Sequence, residues 1–498
     1  MTETRWNAIT AMQQPDLKAL FNIDPDRLDW LTTSVGGLRF DWSKTHMTRE
    51  LLGELLALAE DRGFTARRDA LFSGAAVNIT EGRAAEHGAE RGEGTADSVA
   101  RAKMLHNRMR GLVDAIDAGA LGEVRHIVHI GIGGSALGPK MLMDALSRDG
   151  SRYDVAVVSN VDGCALEEAV RYFDPETTLV AVASKTFTTA ETMQNARSVI
   201  EWMTDGGVED PYGRIIALTA APEKAVEWGV DETRILPFSE TVGGRYSLWS
   251  SIGFPVALAL GWDAFESLLE GAAIMDRHFR LSPPEKNAPL IAACIDHYYV
   301  RALGAQTRGL FAYDERLRLL ADYLQQLEME SNGKSVKLDG TLVDGPTAPI
   351  TWGGVGTDAQ HAVFQLLHQG THLVPVEFIA SIEQGHGFDT AHHQMLLINC
   401  FAQGAALMQG RESDDPARAY PGGRPSTTIL MDDVTPAELG ALLAFYENRT
   451  FANAVLMEIN PFDQFGVELG KQIANSIAQD GPKDFDPSTE ALIKLAFG

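Results

Sequence analysis

The sequence predicts an α/β protein with two parallel-sheet domains behind a helical N-terminal arm. Three observations lead there. Short β-branched runs alternate with stretches of helical period through the first half, the pattern of a parallel sheet covered by helices. At 498 residues the chain is longer than one core comfortably serves. Its 45% apolar and 22% charged residues are the proportions of a globular chain, not a disordered one.

The first hundred residues read as mostly helical, with no strand series of their own. Strands are expected at His126–Ile130, Tyr153–Val158, Thr178–Ala183 and Arg214–Leu218. Between them, Glu191–Met203 places Met193, Ala196, Val199 and Met203 on one side of a helix. In the second half Thr307–Ala312 and Leu373–Phe378 read as strands. Long helices are expected over Asp314–Glu330, Asp358–Gln369 and Thr390–Gln409. Gly- and Pro-rich joints near 205–213, 282–289 and 420–425 complete the outline. The expected division is an arm over 1–110, domains over 111–285 and 286–480, and a C-terminal helix over 481–498.

The formal net charge is −26, and no basic block interrupts it. Nucleic acid and anionic membrane would be repelled over most of such a surface. A small anionic substrate needs only local positive potential. The longest mainly apolar run, Ile252–Trp262, is far too short to span a bilayer. Met1-Thr2-Glu3-Thr4 lacks the basic and apolar regions of a signal peptide, so a cytoplasmic location is expected. Cys164, Cys294 and Cys400 lie far apart, without metal-ligand spacing, and read as buried thiols in a reducing compartment.

Two segments have the chemistry to hold phosphate. The strand ending at Ile130 runs into Gly131-Ile-Gly-Gly134-Ser135-Ala-Leu-Gly138-Pro. Glycines there permit a sharp turn and expose amides at a helix N-terminus. The same spacing fits a dinucleotide loop, with Asp162 as its ribose acid. Taken alone, this loop favours neither reading. The strand ending at Ala183 continues as Ser184-Lys185-Thr186-Phe187-Thr188-Thr189-Ala190-Glu191. Thr188 and Glu191 have capping-box spacing, which accounts for one or two of the hydroxyls. The rest suit a phosphate monoester better than a pyrophosphate.

Acid–base candidates lie in the second half. Gln326 and Glu330 are four apart on one helical stripe, and Glu330 stands near a helix C-terminus, where an acid opposes the dipole. In isolation such a glutamate is usually a solvated surface residue. His361, Gln365 and His368 form a polar stripe; Gln at the i+4 position argues against a metal pair and leaves His361 as a proton carrier. Lys471 by itself reads as a snorkelling surface lysine. Arg245 follows two glycines that admit a ligand closely, where it can stabilise an oxyanion. His392 and His393 are adjacent on a helix, do not face each other, and read as structural.

Taken together and in order, these segments resemble the phosphoglucose isomerase family. Gly131–Pro139 is similar to its G-I-G-G-S-x-L-G-P loop, and Ser184–Thr189 to its S-K-T-F-T-T segment. Glu240–Gly253 and Phe462–Lys471 resemble its two signatures; Met329–Lys334 matches M-E-S-N-G-K, and Gln360-His361-Ala362 matches Q-H-A. Three positions depart from the family's usual pattern: Ala312 for Pro, Gly354-Val355 for Glu-Pro, and Gly423 for Asn.

The resemblance implies two sugar-isomerase-type αβα sandwich domains, a homodimer, and no cofactor. It implies interconversion of glucose 6-phosphate and fructose 6-phosphate through a cis-enediol, a step of glycolysis and gluconeogenesis. It makes Glu330 the base, has His361 and Lys471 assist ring opening, and has Arg245 steady the enediolate. Gly134, Ser135, Ser184, Lys185, Thr186, Phe187, Thr188, Thr189 and Gln326 then bind substrate, and His361 is lent across the dimer interface. Two rivals remain. A non-catalytic sugar-phosphate sensor need not keep Glu330, His361 and Lys471. An NAD-dependent dehydrogenase leaves Ser184–Thr189 without a purpose.

Overall fold

The computed structural model of the protein describes residues 2–480 and 485–497. Two units separate, Met1–Pro461 and Phe462–Gly498. The strands are β1 (Thr32–Val35), β2 (Leu38–Asp41), β3 (His126–Ile130), β4 (Asp154–Val158), β5 (Thr178–Ala183), β6 (Ile215–Thr219), β7 (Ile235–Pro237), β8 (Thr307–Tyr313), β9 (Ile350–Val355), β10 (Val376–Ser381) and β11 (Ser426–Met431).

β3–β7 form an all-parallel sheet in the order β4-β3-β5-β6-β7. β5 and β6 are buried along their whole length. Such near-continuous apolar strands are those of a sheet covered on both faces. Val128, Val180 and Val182 pack with Val199 and Met203 of the helix Ala190–Asp205, the helix the sequence period predicts.

The second sheet runs β1-β2-β11-β10-β8-β9. Its four later strands are parallel, and β2 adds antiparallel to β11, with Ile429 opposite Phe40. The first hundred residues are mostly helical as expected, but they also lend the second sheet two short strands that the sequence reading did not place. Thr32–Asp41 is a hairpin turning on Gly36 and Gly37, both at positive φ (+59° and +73°), as a two-residue turn between twisted strands requires.

Two expected helices are interrupted. Asp314–Glu330 consists of a 3₁₀ turn at Glu315–Leu317, an α-helix at Leu320–Leu324 and a π-helical turn at Gln325–Glu330. Asp358–Gln369 breaks at Val363 into Gly356–Ala362 and Phe364–Gln369. Thr390–Gln409 is continuous. Of the expected C-terminal helix, Pro487–Phe497 is helical, while 481–484 and 498 lie outside the described residues. Cys164 is exposed, contrary to expectation, whereas Cys294 and Cys400 are buried. The Gly354-Val355 departure is accommodated: β9 continues through it, and a Cβ at Gly354 would meet nothing within 4 Å. Among the described residues no helix is long and apolar enough to cross a membrane.

Strand order locates the crevices. In open parallel sheets ligands sit beyond the carboxyl ends of strands where the winding direction reverses. That reversal falls between β3 and β5 in the first sheet, and between β8 and β10 in the second. The second crevice is filled by the protein. Beyond β8 and β10, Arg316 Nε donates to Asp314 (3.0 Å) and Arg316 Nη2 to Ser381 Oγ (3.3 Å), all three residues buried.

Candidate active site

Both phosphate-binding candidates lie at the first reversal, one after β3 and one after β5. Gly133 turns with φ +56°, and a Cβ there would lie 2.8 Å from Gln326 Nε2. A Cβ on Gly134 would lie 2.2 Å from the carbonyl of Gly244 and 2.5 Å from the amide of Arg245. The two loops touch backbone to backbone, so residue 134 has no room for a side chain. The Ser135 carbonyl accepts from His129 Nε2 at 2.7 Å. Burial pushes that imidazole down to about 4, so His129 is neutral with its proton on Nε2.

After β5, the Ser184 amide donates to the Leu218 carbonyl at 3.0 Å. Phe187 holds φ +52°, a left-handed conformation rare for a bulky residue that costs about 1–3 kcal/mol. Its ring is buried in the first core, edge-on to Trp228 at 5.8 Å. The Phe187 side chain is thus an anchor of the loop. Thr188 Oγ1 donates to Thr186 Oγ1 at 2.8 Å, and both residues are exposed. Ser184 and Thr189 hydroxyls pair at 3.0 Å. The capping box expected of Thr188 and Glu191 does not form; Thr189 is the N-cap and makes no side-chain cap bond.

The Lys185 ammonium donates to the carbonyls of Glu240 (2.7 Å) and Val242 (2.9 Å). It therefore ties the hydroxyl loop to the segment leading into Arg245. Burial, with nearby Arg83, pushes its pKa down to about 8. Arg245 is buried and donates from Nη1 to Glu330 Oε1 (3.0 Å), from Nε to Ser331 Oγ (2.7 Å) and from Nη2 to the Pro461 carbonyl (2.5 Å). Gln326 Nε2 donates to the other Glu330 oxygen at 2.8 Å. The Glu330 side chain keeps 24% of its surface exposed, against 2% for Arg245. The carboxylate is oriented from behind and open in front.

Glu330, Arg245, Gln326 and Gly134 thus come together beside the loop of Ser135, and Lys185 links them to Ser184–Thr189. His361 lies outside this cluster. It is exposed on Gly356–Ala362, while its neighbour Gln360 is held by Tyr313 Oη (2.8 Å) and Asn399 (3.2 Å). Lys471 is exposed on Glu468–Asp480 of the C-terminal unit. His368 pairs with Gln403, and His393 with the Ile382 carbonyl. Asp162 accepts from the Cys164 amide as a helix cap, which gives the proposed ribose acid a structural role of its own. Sequence reasoning assigned no role to Ser331, Tyr246 or Lys334. Tyr246 Oη meets Ser331 Oγ at 2.8 Å, and Lys334 Nζ bonds the carbonyls of Glu330 and Ser331. Their signal was available: all three stand inside the motifs that carry Arg245 and Glu330.

Comparison with known proteins shows the family. The phosphoglucose isomerase family model matches residues 41–493. The chain is 70% identical to a glucose-6-phosphate isomerase of Rhizorhabdus wittichii over 100% of both chains. It is 65% identical to one of Zymomonas mobilis, covering 99% of this chain and 98% of that one. The crystal structure of a glucose-6-phosphate isomerase from Chlamydia trachomatis superposes with a TM-score of 0.91 at 31% identity, over 99% of this chain and 98% of that one.

Proposed function

The chain belongs to the phosphoglucose isomerase family, and from that premise we propose how it interconverts glucose 6-phosphate and fructose 6-phosphate in glycolysis and gluconeogenesis. The phosphate sits on the hydroxyls and amides of Ser184–Thr189, with Gly134 and Ser135 alongside. His361 and Lys471 move the protons of ring opening. Glu330 then removes the C2 proton and returns it to C1 through a cis-enediol, with Gln326 against the sugar. One observation carries the reading: a partly open carboxylate held by Arg245 and Gln326 beside both phosphate loops. A carbon acid seated on Glu330 lies next to a guanidinium, which takes up the charge left on oxygen after deprotonation.

The domains 111–285 and 286–480 work as a homodimer, and His361 serves the partner's site. Two features support this. His361 is exposed, and the helix Thr390–Gln409, hydrogen-bonded to its neighbour Gln360, carries Met395 and Ile398, each 66% exposed, and Phe401. An apolar stripe of that kind marks a protein contact, and an isologous one pairs it with itself. Charged sugar phosphates do not cross bilayers unaided, so the enzyme works in the compartment that holds its substrate, which for a glycolytic sugar phosphate is the cytoplasm. The test is formation of glucose 6-phosphate from fructose 6-phosphate, read by a coupled dehydrogenase, with a chelator present and no cofactor added to the isomerase. Full turnover is expected. Absence of turnover together with NAD binding would restore the dinucleotide reading.

A further inference from the structure

The turn that carries Glu330 is gripped on its buried side by a second charged residue. Gln325–Glu330 is a π-helical turn, a rare widening of the α-helix found mostly as single turns, so its shape depends on what holds it. Glu328, two residues before Glu330, is buried, and both its oxygens meet Arg308 Nη2 of β8 at 2.5 Å. Thr351 of β9 donates its hydroxyl to Glu328 Oε2 at 2.6 Å. Arg308 continues to Asp296 (3.1 Å), Asp296 to Arg449 (2.7 Å), and Arg449 to Glu377 of β10 (2.8 Å). Burial alone would raise Asp296, but Arg449 and Arg308 hold it below the ordinary carboxylate range. The ladder thus alternates in sign from the turn, through β8 and the helix Pro436–Met457, to the centre of the second sheet.

Stability alone is a poor reason for such a ladder, because apolar residues of similar volume usually serve as well or better. Direction is what charges add. Here one guanidinium nitrogen of Arg308 on β8 holds both carboxylate oxygens and Thr351 on β9 holds one of them again, which fixes the turn against two strands.

We propose that Glu328, clamped by Arg308 and Thr351, is a positioning residue that sets where the Glu330 carboxylate meets the substrate carbon. This rests on Glu330 being the base. Glu328 does not touch substrate; it acts through the turn. An error of about 1 Å in a reacting group lowers the rate on the order of a hundredfold, so the rate of the chemical step should depend on it while binding should not.

The test uses the full-length enzyme with Glu328→Gln and, because that variant leaves Arg308 undercompensated and can unfold, the apolar pair Arg308→Met with Glu328→Met. For whichever variants fold, kcat should fall at least tenfold. KM for fructose 6-phosphate and Kd for the unreactive polyol sorbitol 6-phosphate should stay within about twofold. The isotope effect with 2-deuterated glucose 6-phosphate should rise, since a displaced base makes proton transfer limiting. A purely structural ladder predicts otherwise: activity falls only with the folded fraction, and the isotope effect matches wild type. That result, or wild-type kcat in folded variants, overturns the proposal. Glu330→Gln measured alongside separates the two readings. Activity retained there removes the base assignment itself, whereas loss there with wild-type kcat in the Glu328 variants removes only the positioning role.

Discussion

Thr186 and Thr188 are exposed, bonded to one another, and relieved of capping duty because Thr189 stands at the helix N-terminus. A pair of hydroxyls so placed beside a dipole end can turn outward to an anion at little cost. A hydrogen bond to a charged group contributes about 1.5–3 kcal/mol, and the phosphate is remote from the reacting carbons, so the bond acts equally in ground and transition states. Thr186→Ala is therefore expected to raise KM for fructose 6-phosphate on the order of tenfold, with kcat changing much less. Steady-state kinetics decide it, and an unchanged KM removes Thr186 from the site. Lys185 contrasts with its neighbours. The expectation of a substrate contact rests on its place in the loop, but its ammonium is engaged by the carbonyls of Glu240 and Val242. Its work is to hold two loops together.

At the scale of elements, β3 and β5 were legible to the residue: β5 is the near-continuous apolar run of a strand covered on both faces, and β3 is a short β-branched stretch ending at a glycine turn. The loops that follow them were legible for the same reason, being the points where that apolar pattern stops. β9 and β11 were not read: one carries Gly353 and Gly354, and the other begins Ser426-Thr427-Thr428, so neither looks like a buried run. The hairpin β1–β2 did leave a sign in Gly36-Gly37, but its strands are only four residues each. The π turn was invisible for a different reason. A hydrophobic period averaged over Asp314–Glu330 fits a helix whatever the local hydrogen-bond ring, and only tertiary partners such as Arg245 and Arg308 select the wider one. The break at Val363 (φ −127°) is likewise a local event inside an unbroken sequence period.

Across the described residues the two sheet reversals differ: Arg316 and Asp314 occupy that of the second sheet, while both phosphate-binding candidates lie at that of the first. The proposed dimer completes that site with His361, and mixing experiments test it. Glu330→Gln and His361→Ala chains are each expected to be inactive as homodimers. After dissociation and random reassociation about half the dimers are mixed, and each holds one intact site, so about a quarter of wild-type activity should return. Verified heterodimers without recovered activity would assign His361 to its own chain. The chemistry itself is tested most directly by following the C2 hydrogen of glucose 6-phosphate in heavy water. Wild type should exchange it with solvent. Glu330→Gln should bind the sugar phosphate within a few-fold of wild type yet lose exchange by at least the 10²–10⁴-fold that a positioned base contributes. Exchange at the wild-type rate in that variant would contradict the account, because some other group would then be taking the proton.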